Sequence, residues 1–203
     1  MVPDREAGPV DAKARALPLD KCSGRFVRPG RGVGRTYDRS VILRCTRKLL
    51  DVIRPEDLVA PDPDAGDWYA NLLVFDRRKC LLLTHAGSLF TVFEPDARVA
   101  SLRSTHDLVT GLVERELLAE GLHPGTLGEL RGEPLRYART ADRSVLGCMN
   151  DMAFLCENAV ADAGGLAWLD TASLNGLLRR NINSARGYAR PIDLAREWNA
   201  IPP

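Results

Sequence analysis

Several common sites of protein chemistry are missing from this chain of 203 residues. No CxxC pair occurs, which argues against a zinc ribbon or a thioredoxin-like centre. There is no GxxxxGK followed by Ser or Thr, no HExxH, no EF-hand loop and no GxSxG. Those absences remove P-loop nucleotide binding, zincin chemistry, EF-hand calcium binding and the hydrolase nucleophile elbow. No run approaches the ~20 apolar residues of a membrane helix. The opening MVPDREAGPVDAKAR is polar and lacks the apolar segment of a signal peptide. The five cysteines, Cys22, Cys45, Cys80, Cys148 and Cys156, are odd in number and four sit in apolar stretches. They read as free buried thiols of a reducing, cytoplasmic compartment, with no metal or other cofactor implied.

What is present suffices for one core: 45% of residues are hydrophobic and 27% charged. The charge is uneven. Residues 1–39 carry nine Lys or Arg against five Asp or Glu, a balance of +4, whereas residues 40–203 carry 19 against 22, a balance of −3. From Lys21 to Arg39 there are six basic residues and one acidic one, interspersed with Gly24, Pro29, Gly30, Gly32 and Gly34. Glycine and proline at that density oppose a helix. Residues 1–39 are therefore expected to be a basic, disordered tail, either a phosphate-binding arm or a solvated leader. Residues 40–203 are expected to form a single domain.

Strand signals come early. Val41–Cys45 is a short apolar run, and Trp68–Phe75, Cys80–Thr84 and Leu89–Phe93 follow with short loops between them, the pattern of antiparallel hairpins. Leu81, Leu82 and Leu83 are apolar on both faces, which places their strand centrally with cover on both sides. Leu135–Arg139 suggests a further strand. Helix signals come late. A short helix follows Thr46, another spans Ser104 to Gly121, and the strongest runs from Asp142 to Ala163, with Val145, Met149, Met152, Cys156 and Val160 at steps of three and four. Asp170–Arg179 and Pro191–Trp198 complete the set. The expected fold is α+β: an antiparallel meander of four to five strands with four to five helices on one face.

The segments ILRCTRKLL (42–50), WYANLLVFDRRKCLLLTHAGSLFTVF (68–93) and RSVLGCMNDMAF (143–154) resemble those of an uncharacterised bacterial domain family that carries only a domain-of-unknown-function label. The likeness covers roughly residues 41–195. It implies a small bacterial protein and supplies no activity and no catalytic residue. Relatives begin near Val41, so the leader is a departure from the pattern.

Three polar clusters are candidates for chemistry. Arg44, Thr46, Arg47 and Lys48 lie where the first strand passes into a helix, a setting suited to an anion. Arg77, Arg78 and Lys79 form a basic hairpin, and His85 at the next turn has the ordinary pKa of a general acid or base. Because successive hairpin turns alternate, those two groups are expected at opposite ends of the meander. Arg143, Ser144, Asn150 and Asp151 belong to the start of the strongest helix. Each cluster also has a plainer reading as solvated surface or a structural turn.

Two functional readings stay open, together with the question of whether the protein is an enzyme. One is binding of a phosphate-bearing ligand such as RNA or DNA, extending to metal-independent ribonuclease chemistry with His85 as acid or base. The other is a protein-interaction module, a neutralising or regulatory partner in a two-gene system of toxin–antitoxin or defence type. In that reading the partner is encoded nearby, and Trp68, Tyr69, Trp168, Tyr188 and Trp198 are candidate anchors. No membrane association is expected, and the oligomeric state is left open.

Overall fold

The computed structural model describes residues 40–182 and 184–200. The basic tail lies outside the described residues. Strands β1 (Val41–Cys45), β2 (Trp68–Phe75), β3 (Arg78–His85), β4 (Thr91–Glu94) and β5 (Leu135–Arg139) form one sheet in the order β4-β3-β2-β1-β5. Six helices accompany them: α1 (Arg47–Ile53), α2 (Val99–Arg103), α3 (Thr105–Ala119), α4 (Arg143–Asp162), α5 (Thr171–Arg180) and α6 (Pro191–Ala200).

The meander is real for β2, β3 and β4, which pair antiparallel. The sheet as a whole is mixed, because β1 runs parallel to both β2 and β5. This corrects the all-antiparallel expectation. Parallel neighbours need a crossover of a dozen or more residues. The segment from Thr46 to Asp67 supplies one, and the stretch holding α2 and α3 separates β4 from β5.

The helices also cover both faces rather than one. Leu81 and Leu83 of β3 join Leu43, Trp68, Ala70 and Val92 in a core closed by residues of α1, α2, α3 and α6. Cys80 and Leu82 point the other way, with Phe93, into a core closed by Met152, Cys156 and Val160 of α4 and by Leu174 and Leu178 of α5. The period-two alternation of β3 thus feeds two cores, which is why the whole of Cys80–Phe93 is buried.

Local chemistry explains the boundaries. The β2–β3 hairpin turns through Asp76 and Arg77, both with positive φ (48° and 63°), which matches the right-handed twist of the strands. Asp142 caps α4, its Oδ1 accepting from the amides of Ser144 at 2.7 Å and Val145 at 3.4 Å. Asp170 caps α5 by accepting from the Ser173 amide at 3.1 Å. Thr46 and Ser104 occupy N-cap positions but make no side-chain cap. The Thr46 hydroxyl donates instead to Asn71 Oδ1 at 3.0 Å.

Candidate functional site

The first cluster divides. Arg44 is 1% exposed. Strand alternation turns it away from Leu43 and Cys45, towards the face covered by α4. Its Nε donates to Asp67 Oδ2 at 2.5 Å, Nη2 to the carbonyls of Pro61 (3.0 Å) and Asp62 (2.8 Å), and Nη1 to the Arg139 carbonyl at 3.4 Å. Every nitrogen is thus spent on the protein itself, and the guanidinium clamps the 61–67 loop against the ends of β1 and β5. Burial pushes the Asp67 carboxyl up, opposed by hydrogen bonds from the Asp64 amide and Arg44. Lys48 is exposed on α1, which packs on the opposite face.

The second cluster is split by the length of β3. Arg77, Arg78 and Lys79 lie at one end, and His85 begins the turn at the other. Arg78 reaches Asp96 at 3.6 Å between two exposed side chains. His85 is 0% exposed. It stands between Trp68 (ring centroids 5.2 Å apart) and the edge-on ring of Trp198 (4.8 Å). Its Nδ1 lies 2.9 Å from Ser88 Oγ and accepts from the Ser88 amide at 3.2 Å. An acid or base in RNA cleavage has to touch its substrate, whereas this imidazole is enclosed and organises the turn. Trp198 packs so closely that a Cβ on Gly87 would fall 2.2 Å from its ring. Arg186 donates to the Ala86 carbonyl at 2.8 Å, closing the turn from outside.

In the third cluster, Arg143, Ser144, Asn150 and Asp151 are all exposed on α4. A Cβ on Gly147 would meet nothing within 4 Å, so no backbone packs closely there. The three clusters do not meet in one concavity: Lys48, the basic hairpin and Arg143 occupy different elements and faces. Among the described residues, Arg47, Lys48, Arg77 and Arg143 nevertheless make no ion pair. No group of three or more His, Cys, Asp or Glu among the described residues is placed to hold a metal ion. None of the described helices is long and apolar enough to cross a membrane.

The surface formed by α4, α5 and the end of β2 was not legible as a cluster. Between Arg143 and Arg179 the chain carries four carboxylates (Asp151, Glu157, Asp162 and Asp170) and no Lys, Arg or His. Exposed on these elements and the turn between α4 and α5 are Trp168 (78%), Phe154 (62%), Val74 (61%) and Leu177 (52%). A shallow, open depression of about 420 Å³ lies between the end of β2 and α4, lined by Val74, Phe75, Asp76, Glu157, Val160 and Ala161 with Gly164 and Gly165. The loop bearing Trp168 is tied down. Asp76 Oδ2 accepts from the Leu166 amide at 2.7 Å, and the Gly165 amide donates to the Val160 carbonyl at 2.9 Å. A large aromatic is therefore held in water by a fixed backbone. Of the five candidate anchors, Trp68 and Tyr69 are fully buried and Trp198 is committed to the 85–88 turn; Trp168 and Tyr188 are exposed. Phe154 carried one sequence signal, since it falls off the apolar stripe of α4.

Residues 42–194 match the sequence model of the family described as Domain of unknown function (DUF6933), and the chain belongs to that family. No curated protein and no solved structure matches the chain.

Proposed function

We propose that this member of the DUF6933 family is a protein-interaction module whose contact surface is the acidic, apolar face of α4 and α5. The observation that carries the reading is Trp168, 78% exposed on a loop that Asp76 fixes in place. Tryptophan is the side chain most enriched at the energetic centres of interfaces, and a fixed loop spares the entropy of ordering it on binding. Phe154, Val74 and Leu177 extend the apolar surface, and the carboxylates around it favour a partner with basic residues. Affinity capture from cells making the protein tests this. A stoichiometric partner should be recovered with the unaltered chain and lost with Trp168→Ala and Val74→Asp. A partner retained by both variants would place the interface elsewhere.

A second reading is supported by the exposed cations. Arg47, Lys48, Arg77 and Arg143 are exposed and have no carboxylate partner among the described residues, which leaves their charges available to a phosphate. In this reading the ligand is RNA, DNA or another phosphate-bearing molecule held by Lys48, with Thr46 beside it, by Arg143 with Ser144, or by the Arg77–Lys79 hairpin. Binding of a labelled RNA or DNA oligonucleotide at low salt should then fall steeply as salt rises. It should also weaken in Lys48→Ala and Arg143→Ala. Absence of retention at low salt would remove this reading.

A further inference from the structure

We infer that the flank of β2 beyond Ala70, at Leu72 and Val74, takes an extended segment of a partner protein as an added strand, one that alternates apolar and basic residues. The inference rests on the interaction-surface reading above and names how a partner engages β2 within it.

The register of the sheet carries it. β1 pairs with β2 from Trp68 to Ala70 and then ends, whereas β2 runs on to Phe75. The Ala70 carbonyl accepts from the Thr46 amide at 3.0 Å, so the main-chain groups of Ala70 point towards β1. That direction alternates from residue to residue along a strand. Leu72 and Val74 therefore point their N–H and C=O groups past the end of β1, while Leu73 and Phe75 point theirs at β3. β5 gives no cover there, because it ends at Arg139 in register with Cys45. Among the described residues, no main-chain bond reaches Leu72 or Val74 from the vacated side. The outer edges of the sheet differ. Asn175 serves the main chain of Phe93 on β4, and the Val59 amide covers part of β5 by donating to the Tyr137 carbonyl at 2.8 Å. The step at β2 is thus a short strand edge with unmet hydrogen bonds, the template that an added strand satisfies.

The surroundings select the occupant. Val74 is exposed and offers apolar contact to the side chains of an added strand. The depression between the end of β2 and α4 has Asp76 and Glu157 in its lining and no residue of β3, which puts it on the vacated side. Alternate side chains of the added strand face opposite sides of the sheet, so one set meets those carboxylates and favours Lys or Arg. A second copy of this chain fits less well. Antiparallel pairing of two β2 flanks about Leu73 sets Ala70 of one copy opposite Asp76 of the other. The exposed Arg47 and Lys48 of the first copy then approach the exposed Arg77 of the second, and like charges oppose the pairing.

Amide hydrogen exchange in the full chain tests this, with a short synthetic peptide of alternating lysine and valine as the probe. With the peptide at about ten times its Kd, exchange of the Leu72 and Val74 amides should slow about tenfold, because only the free fraction exchanges. Val74→Pro removes one donor on the vacated side, where proline is tolerated on a strand edge, and should abolish the slowing at Leu72. Val74→Thr keeps the donor and should retain it. The same peptide N-methylated at alternate residues should slow neither amide, a result that needs no variant to fold. Unchanged exchange at Leu72 and Val74 with the unmodified peptide would overturn the inference. So would slowing that survives N-methylation, and so would slowing that appears without peptide as the protein concentration rises, since the added strand would then belong to a second copy. The two proposals fail separately. Capture of a partner that needs Trp168 but tolerates Val74→Pro removes the strand and keeps the surface; peptide-dependent slowing with capture that ignores Trp168→Ala does the reverse.

Discussion

Asn175 of α5 completes the open edge of β4: its Oδ1 accepts from the Phe93 amide at 2.7 Å and its Nδ2 donates to the Phe93 carbonyl at 3.1 Å. One carboxamide thereby does what a neighbouring strand would do, and α5 covers an edge that would otherwise invite pairing with another chain. Replacing it leaves two buried backbone groups unsatisfied. Asn175→Ala should lower stability by about 2–6 kcal/mol, at ~1–3 kcal/mol per orphaned group. Urea unfolding checks this, and a midpoint unchanged from the parent would show that water or another side chain serves the edge equally well.

Arg44 and Asp67 make a second prediction. Removing one partner of a buried pair strands the other charge, at a cost of about 3–5 kcal/mol, whereas replacing both with apolar groups is far milder. Arg44→Met should therefore be severely destabilising, and the double variant Arg44→Met, Asp67→Leu should regain much of the loss. A mild Arg44→Met would mean that the guanidinium is not the clamp of the 61–67 loop.

The ion-pair network linking α3 and α5 makes stability depend on pH. Arg179, with side-chain exposure of 4%, donates to Glu116 at 2.7 Å and Glu120 at 2.9 Å, and Arg180 donates to Glu120 at 2.7 Å. The hydrogen bond from Arg180, with Arg179 beside it, holds the Glu120 carboxyl below its usual range. An acid whose pKa is depressed by folding adds stability above its unfolded value, and that contribution is lost as the pH falls through the folded value. Glu120→Gln should cost about 2 kcal/mol at pH 7. The gap to the parent should close as the pH drops below ~4.3, the unfolded glutamate range. A gap that stays constant down to pH 3 in thermal unfolding would contradict the assignment.

Gly147 sits inside α4 with open space where a Cβ would stand. Alanine there should raise stability by about 1 kcal/mol, the helix-propensity difference. If Gly147→Ala gained nothing in chemical denaturation, the helix would have to be strained locally in a way its geometry does not show.

Much of the fold was readable from periodicity and punctuation. The 3.6-residue spacing of Val145, Met149, Met152, Cys156 and Val160 located α4 almost to the residue. The short loops around Arg78–His85 located the β2–β3–β4 meander. Both signals are local, so they survive without knowledge of neighbours. The parallel pairing of β1 was less visible because strand direction leaves no mark on the strand itself. It is set by the crossover, and the long segment from Thr46 to Asp67 was the available clue.

The candidate site divided along the same line. The sequence by itself determined which side chains could carry charge, that the α4–α5 stretch is acidic, and that a basic segment precedes the domain, because composition along a chain needs no fold. Only the tertiary structure decided which of those side chains remain available. Arg44 and His85 look like chemistry in the sequence, yet burial spends them on Asp67, loop carbonyls and two tryptophans. Trp168 stands in the sequence as one of five candidate anchors, and it is the tertiary structure that buries Trp68 and Tyr69 while Asp76 and the Gly164-Gly165 turn hold the Trp168 ring in water. Whether a polar group is a ligand contact or a structural clamp depends on what lies within hydrogen-bonding distance, and for Arg44 and His85 the decisive neighbours come from other elements of the fold.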